Sequence, residues 1–168
     1  MHNSTAQLYI RVGMSDWKVS AEKELLRTSG LGSCIGVVIY SPVKPLAVMA
    51  HILLPDCPED QWENKQLRTK FADTSIEDIV YFFRQHHISS RKLAAKMAGG
   101  AQMFAMSPVK ENKSIGLRNA EAVKEALQHY SVPLLAADTG GDKGRTITFD
   151  PGSSNLYIRK AYGEEKVI

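Results

Sequence analysis

The chain has 168 residues, 43% hydrophobic and 23% charged, with a formal net charge of +3. That composition excludes low-hydrophobicity disorder and fibrous repeats. The slight charge excludes the strongly basic balance of a nucleic-acid binder but leaves room for an acidic protein partner.

No apolar run approaches the roughly 18 residues of a membrane span, so no membrane insertion is expected. The first residues lack a leader-like pattern. Two cysteines, Cys34 and Cys57, are too few for a disulfide framework and lack the Cys/His pairing of a zinc site. The expectation is one cytoplasmic domain over residues 1–168, with reduced thiols and a flexible segment 1–6.

In chain order, residues 7–13 and 24–28 read as short strands, the second ending at Ser29-Gly30-Leu31-Gly32-Ser33. Residues 35–40 are β-branched and apolar, the pattern of a buried strand. Ser41-Pro42-Val43-Lys44-Pro45 is turn chemistry, and residues 46–54 resume an apolar strand. The polar stretch 55–70 reads as a surface loop, with a mobile segment near the site as one reading.

Thr74-Ser75-Ile76-Glu77 fits a capping box that opens a helix, with Ile76, Ile79, Val80 and Phe83 on its apolar face. Residues 92–98 fit strand or helix; the alternation of Leu93, Ala95 and Met97 favours strand. Asn119 reads as the N-cap of a second helix with Ala120, Val123, Leu127 and Tyr130 facing inward. Residues 133–137 form a strand before Asp138-Thr139-Gly140-Gly141. Residues 146–149 and 156–159 flank a hairpin turn at Asp150-Pro151-Gly152-Ser153-Ser154. Strands without regular βαβ alternation favour an α+β fold.

Cys34 is the candidate nucleophile. A free thiol titrates near ~8.5, so attack requires a neighbouring base or cation. If Tyr40 pairs with Pro45 across the turn, Cys34 stands directly opposite His51 on one sheet face. The backbone of Gly32 and Ser33 offers N–H groups for an oxyanion hole. Thr28, one strand-end away, offers a hydroxyl to hold the imidazole. Against this, a lone cysteine opening an apolar strand is also an ordinary core residue, as is a hydrogen-bonded buried histidine. The residues alone leave both readings open.

Several blocks together carry a resemblance: Thr28-Ser29-Gly30-Leu31-Gly32-Ser33-Cys34, Ala50-His51-Ile52-Leu53-Leu54-Pro55, Phe71-Ala72-Asp73-Thr74 and residues 96–104 from Lys96 to Phe104. Ile115-Gly116-Leu117-Arg118-Asn119 and Asp138-Thr139-Gly140-Gly141, with Gly144-Arg145 behind them, complete it. In this order, over roughly residues 24 to 160, they resemble the CheD family of chemoreceptor glutamine deamidases.

The resemblance implies a layered α/β/β sandwich with mixed sheets, carrying a papain-like Cys/His site on an unrelated fold. It implies Cys34 as nucleophile, His51 as base and Thr28 as the orienting hydroxyl. The implied reaction is protein-glutamine glutaminase chemistry on methyl-accepting chemotaxis receptors, through a cysteine thioester and with release of ammonia. No metal or organic cofactor is expected.

The resemblance also implies a possible CheC-type phosphatase partner, and the alternative that the chain is mainly that partner's regulatory module. Phe104 and the stretch 110–118 are the contact candidates. The loop 56–68 is read as a gate over the site or as a plain exposed insertion. Cys57 is read as a bystander. Gly99-Gly100 and Gly140-Gly141 are read as tight turns, with a role in shaping a substrate channel left open.

Overall fold

The computed structural model describes residues 7–104 and 114–168; segment 1–6, expected to be flexible, lies outside them. Strand β4 (Ile35–Tyr40) is buried along its whole length because both of its faces are covered. Ile35, Val37 and Ile39 pack toward the helices, while Val38 and Tyr40 pack toward a second sheet. A strand between two apolar layers needs a continuous apolar sequence, which is what residues 35–40 supply.

Around β4, the first sheet takes the order β2 (Trp17–Ser20), β5 (Ala47–Ile52), β4, β6 (Ala94–Gly99), β7 (Leu134–Thr139). Its pairs are antiparallel except β6 with β7. The second sheet runs β1 (Tyr9–Arg11), β3 (Leu25–Leu31), β8 (Arg145–Asp150), β9 (Asn155–Lys160), β10 (Glu165–Val167), with β1 and β3 parallel. Helices α2 (Ala72–Gln85) and α3 (Ile115–His129) cover the outer face of the first sheet. Leu26, Leu31, Ile147, Phe149 and Leu156 fill the space between the sheets. The layers are therefore helix, sheet, sheet, the α+β sandwich expected.

The hairpin register differs from expectation. Tyr40 pairs with Ala47, not Pro45, so Gly36 and not Cys34 stands opposite His51. The connection is wider than a tight turn: Ser41 N–H donates to Leu46 O at 2.9 Å, and Lys44 N–H to the Ser41 hydroxyl at 3.1 Å. Pro45 has no N–H to give a ladder. A shift of two residues preserves which face each side chain occupies, so Cys34 and His51 still point the same way.

Both expected helix caps are displaced. Helix α2 begins at Ala72, with Phe71 as its N-cap and no side-chain cap bond. Phe71 is already anchored by a bridge to Leu54, so the chain turns helical before Thr74. Thr74 and Glu77 instead clamp the preceding loop: the Thr74 hydroxyl donates to Arg68 O at 2.7 Å, and Glu77 pairs with the Arg68 guanidinium at 2.6 Å. Helix α3 is capped by the Ser114 hydroxyl, which accepts from Leu117 N–H at 3.2 Å. Asn119 is inside the helix, fully buried.

The loop after β5 holds a short helix α1 (Lys65–Arg68). It is pinned by Cys57 N–H to the Asp73 carboxylate and by Trp62 Nε1–H to Cys57 O at 2.8 Å. No helix among the described residues is long and apolar enough to cross a membrane.

Candidate active site

His51 extends from β5 into the space between the sheets, where it has no exposed surface. Thr28 reaches it from β3 across that space: Thr28 Oγ1 lies 2.8 Å from His51 Nδ1 and 2.8 Å from Val12 O. A carbonyl only accepts, so the single hydroxyl proton of Thr28 is directed to Val12. The contact to His51 must then run from Nδ1–H to the hydroxyl oxygen. This fixes the imidazole tautomer and leaves the lone pair on Nε2, which is buried without a partner among the described residues. An imidazole held in this way has the tautomer that a general base needs.

Cys34 is half-buried and packs against the same inter-sheet layer. It lies two residues beyond Gly36 on the shared face, diagonal to His51. Such neighbours sit about 7–8 Å apart along the sheet, within reach of a long side chain. It also lines a cavity of about 500 Å³ together with Gly30, Ser33, Met103, Phe104 and Ile115. Cys34 thus borders the opening, while His51 and Thr28, in contact with each other, are buried and do not line it. None of residues 56–68 lines this cavity, so the loop read as a gate lies elsewhere. Of the contact candidates, Phe104 is largely exposed at the cavity; residues 110–113 lie outside the described residues.

The backbone at Cys34 is set by a break in the β4–β6 ladder. Gly100 N–H donates to Cys34 O at 2.8 Å. In a regular antiparallel pair the Cys34 N–H would return the bond to Gly100 O. That bond is not made, because Gly99 and Gly100 turn the chain away with φ of +122° and +67°. At Gly99 a side chain would collide with the Cys34 carbonyl oxygen. The freed Cys34 N–H acts to lower its own thiol, against the larger effect of burial.

Gly32 N–H is engaged with Gly30 O at 3.1 Å. The backbone donor best placed for an oxyanion is therefore that of Cys34, with Ser33 beside it. The glycine pair at 99–100 was legible as a turn; what the sequence did not reveal is the N–H it releases.

Burial pushes the Cys34 thiol above its ordinary value, opposed in part by its own N–H. Burial pushes the His51 imidazole below its ordinary value. Both shifts favour a neutral thiol and neutral imidazole at rest, not the thiolate–imidazolium pair of a papain-like site.

Two residues near the site carry roles the sequence reading missed. The Asn119 amide donates from Nδ2 to Ser33 O at 3.0 Å and to Leu53 O at 2.8 Å. Arg145 crosses from β8 to Asp138 on β7 at 2.9 Å and donates to Gly140 O at 2.8 Å, tying the two sheets together behind Gly99. Burial acts to raise the Asp138 carboxyl. Hydrogen bonds from Lys166 and Arg145, with the charges of Arg145 and Lys160, outweigh it and hold the group below the usual carboxylate range. Asn119 within Arg118-Asn119, and Arg145 after Gly144, were signals in plain view, but nothing in their spacing points to sheet-end contacts.

The family model for CheD chemotactic sensory transduction matches residues 53–160. The matched stretch begins after His51, so the arrangement of Thr28, Cys34 and His51 rests on the geometry above. The chemoreceptor glutamine deamidase CheD of Halalkalibacterium halodurans is 44% identical over 159 residues, spanning 95% of this chain and 98% of its own. That of Bacillus subtilis is 37% identical over 166 residues, spanning 99% of each. The solved structure of the Bacillus licheniformis hypothetical protein YfiH shares 13% identity at a TM-score of 0.48, over 76% of this chain and 51% of that one, too loose a likeness to bear on function. With a family match over most of its length and relatives of this identity over nearly all of it, the chain belongs to the CheD family.

Proposed function

We propose that this chain is a chemoreceptor glutamine deamidase, a cysteine hydrolase acting on glutamine side chains of methyl-accepting chemotaxis receptors. Its relatives' names supply the substrate class. The observation that carries the chemistry is the bond from His51 Nδ1–H to Thr28 Oγ1, which leaves Nε2, without a partner among the described residues, as the base on the face shared with Cys34.

The steps follow from that arrangement. His51 Nε2 takes the thiol proton as Cys34 Sγ bonds to the amide carbon. The oxyanion meets the Cys34 N–H, and the imidazolium gives its proton to the amide nitrogen, which leaves as ammonia. His51 then takes a proton from water, whose oxygen attacks the thioester. Collapse of that adduct expels the sulfur, which recovers the proton from the imidazolium, and frees the glutamic acid side chain, which ionises by giving its proton to the released ammonia or to solvent. A neutral receptor side chain has become an anion, which alters the electrostatics of its helix bundle.

The reading takes residues 1–168 as one deamidase domain. A reducing cytoplasm suits the two free cysteines. The test is ammonia release from a receptor fragment together with the mass of its peptides. A Cys34→Ala chain should fold and release none, whereas the native chain adds about one dalton per modified glutamine. Full deamidation by the alanine variant, or chain cleavage by the native one, rejects the reading. Binding to a CheC-type phosphatase remains an expectation of the family; it should survive loss of the thiol, so the same variant separates scaffold from enzyme.

A further inference from the structure

Asn119 stands at the start of the second turn of α3, with no exposed surface. A carboxamide is a costly group to bury, so its bonds deserve a reason. Its two donors go to the carbonyls of Ser33 and Leu53, at 3.0 and 2.8 Å. One immediately precedes Cys34, and the other follows His51 by two residues. Extending the β4–β5 register by one pair beyond Ile35 and Ile52 sets Cys34 against Leu53. A single side-chain amide therefore closes the strand ends where the nucleophile leaves the sheet. Its own Oδ1 is buried without a partner among the described residues, so the donors set its orientation.

The peptide unit joining Ser33 to Cys34 is planar, and its C=O and N–H point in opposite directions. Holding the Ser33 carbonyl toward α3 turns the Cys34 N–H away from α3. That N–H has been released from the ladder by the turn at Gly99 and Gly100, so without a hold on its carbonyl the peptide is free to rotate. A donor on the carbonyl also polarises the unit and strengthens what its N–H can give.

We propose that Asn119 is a positioning residue of the deamidation: by gripping the Ser33 carbonyl it aims the Cys34 N–H at the oxyanion. The proposal rests on the deamidase reading above. Asn119 touches no reacting atom; it acts through the Ser33–Cys34 peptide.

The test uses the full chain and a soluble receptor fragment. Asn119→Asp keeps the shape of the side chain but sets an acceptor against two carbonyls; Asn119→Ser shortens the reach. Both should lower kcat about 10- to 100-fold with KM within about twofold, since the lost interaction belongs to the transition state. Both should also move the pH profile of Cys34 alkylation by iodoacetamide upward, because the N–H no longer favours the thiolate.

A folded variant with kcat and alkylation profile like the native chain's overturns the proposal. So does a lowered Tm with an unmoved alkylation profile, which marks a purely structural residue. Should neither variant fold, the native chain decides by NMR. The Cys34 amide proton must shift as the thiol titrates, and a stationary one overturns the proposal. Cys34→Ala runs beside them: if it still releases ammonia, the deamidase reading falls, whereas an inactive Cys34→Ala with fully active Asn119 variants sinks only this inference.

Discussion

Thr28 and His51 come from different sheets and meet at 2.8 Å. Because Thr28 also donates to Val12 O at 2.8 Å, the hydroxyl serves the imidazole purely as an acceptor. It does for the ring what a carboxylate does in other triads, without bringing a charge into the space between the sheets. On the deamidase reading proposed above, catalysis would depend on how well the two sheets are held together.

Replacing Thr28 tests this directly. Thr28→Val keeps the shape and removes both bonds, and kcat should fall roughly 10- to 100-fold. Thr28→Ser keeps the hydroxyl and should retain most activity. Steady-state ammonia release measures both, and a valine variant as active as the native chain would exclude an orienting role.

The neutral resting pair makes a second prediction. Burial raises the Cys34 thiol and lowers the His51 imidazole, so alkylation of Cys34 should climb through the alkaline range with no plateau below neutrality. The acid limb of kcat/KM should lie below the ~6.5 of an ordinary histidine. A thiolate–imidazolium pair would instead show fast alkylation at mildly acid pH, and observing that would rule out the neutral pair.

Stability should carry the signature of the same histidine. With the folded-state value below the unfolded ~6.5, the unfolded chain binds more protons between the two. The contribution of His51 is complete above ~6.5 and is lost as pH falls through the folded value. Urea midpoints measured against pH should therefore drop on the acid side, and the part due to this ring should vanish in His51→Gln. Identical slopes in the two chains would contradict the assignment.

Gly99 gives the most severe expected variant. A methyl group there meets the Cys34 carbonyl oxygen, at a φ of +122° that L residues rarely adopt. Gly99→Ala should cost at least ~1–3 kcal/mol of stability, read from denaturant unfolding, and should abolish ammonia release.

The sequence revealed those parts of the structure in which a residue's own chemistry decides its place. Residues 35–40 are apolar because both faces of β4 are covered, and the observed strand has those bounds. The apolar face of α2 is buried as its spacing requires. Trp17–Ser20 and Glu165–Val167 escaped notice as strands because they are short edges; the second has no buried residue at all. The hairpin register failed by two because turn residues constrain a loop's composition more than its width. Asn119 was mistaken for a cap because asparagine serves both purposes, and only the fold reveals which carbonyls it meets. Cys34, His51 and Thr28 stood out as candidates in the sequence, and the fold brings Thr28 and His51 into contact; the groups packed around them, Asn119 and Arg145, gave no such signal.

The position of Cys34 just past the end of a fully buried strand has a further consequence. Local opening in a protein is cheapest in exposed loops and dearest in central strands. The Cys34 sulfur is thus anchored to the part of the chain that opens least often, while the mouth of its cavity is built from Met103, Phe104 and Ile115, all substantially exposed. Chemistry and choice of substrate rest on elements of different mobility. A lineage can reshape the rim to accept another receptor helix while the paired strands β4 and β5 keep Cys34, its free N–H and His51 in register.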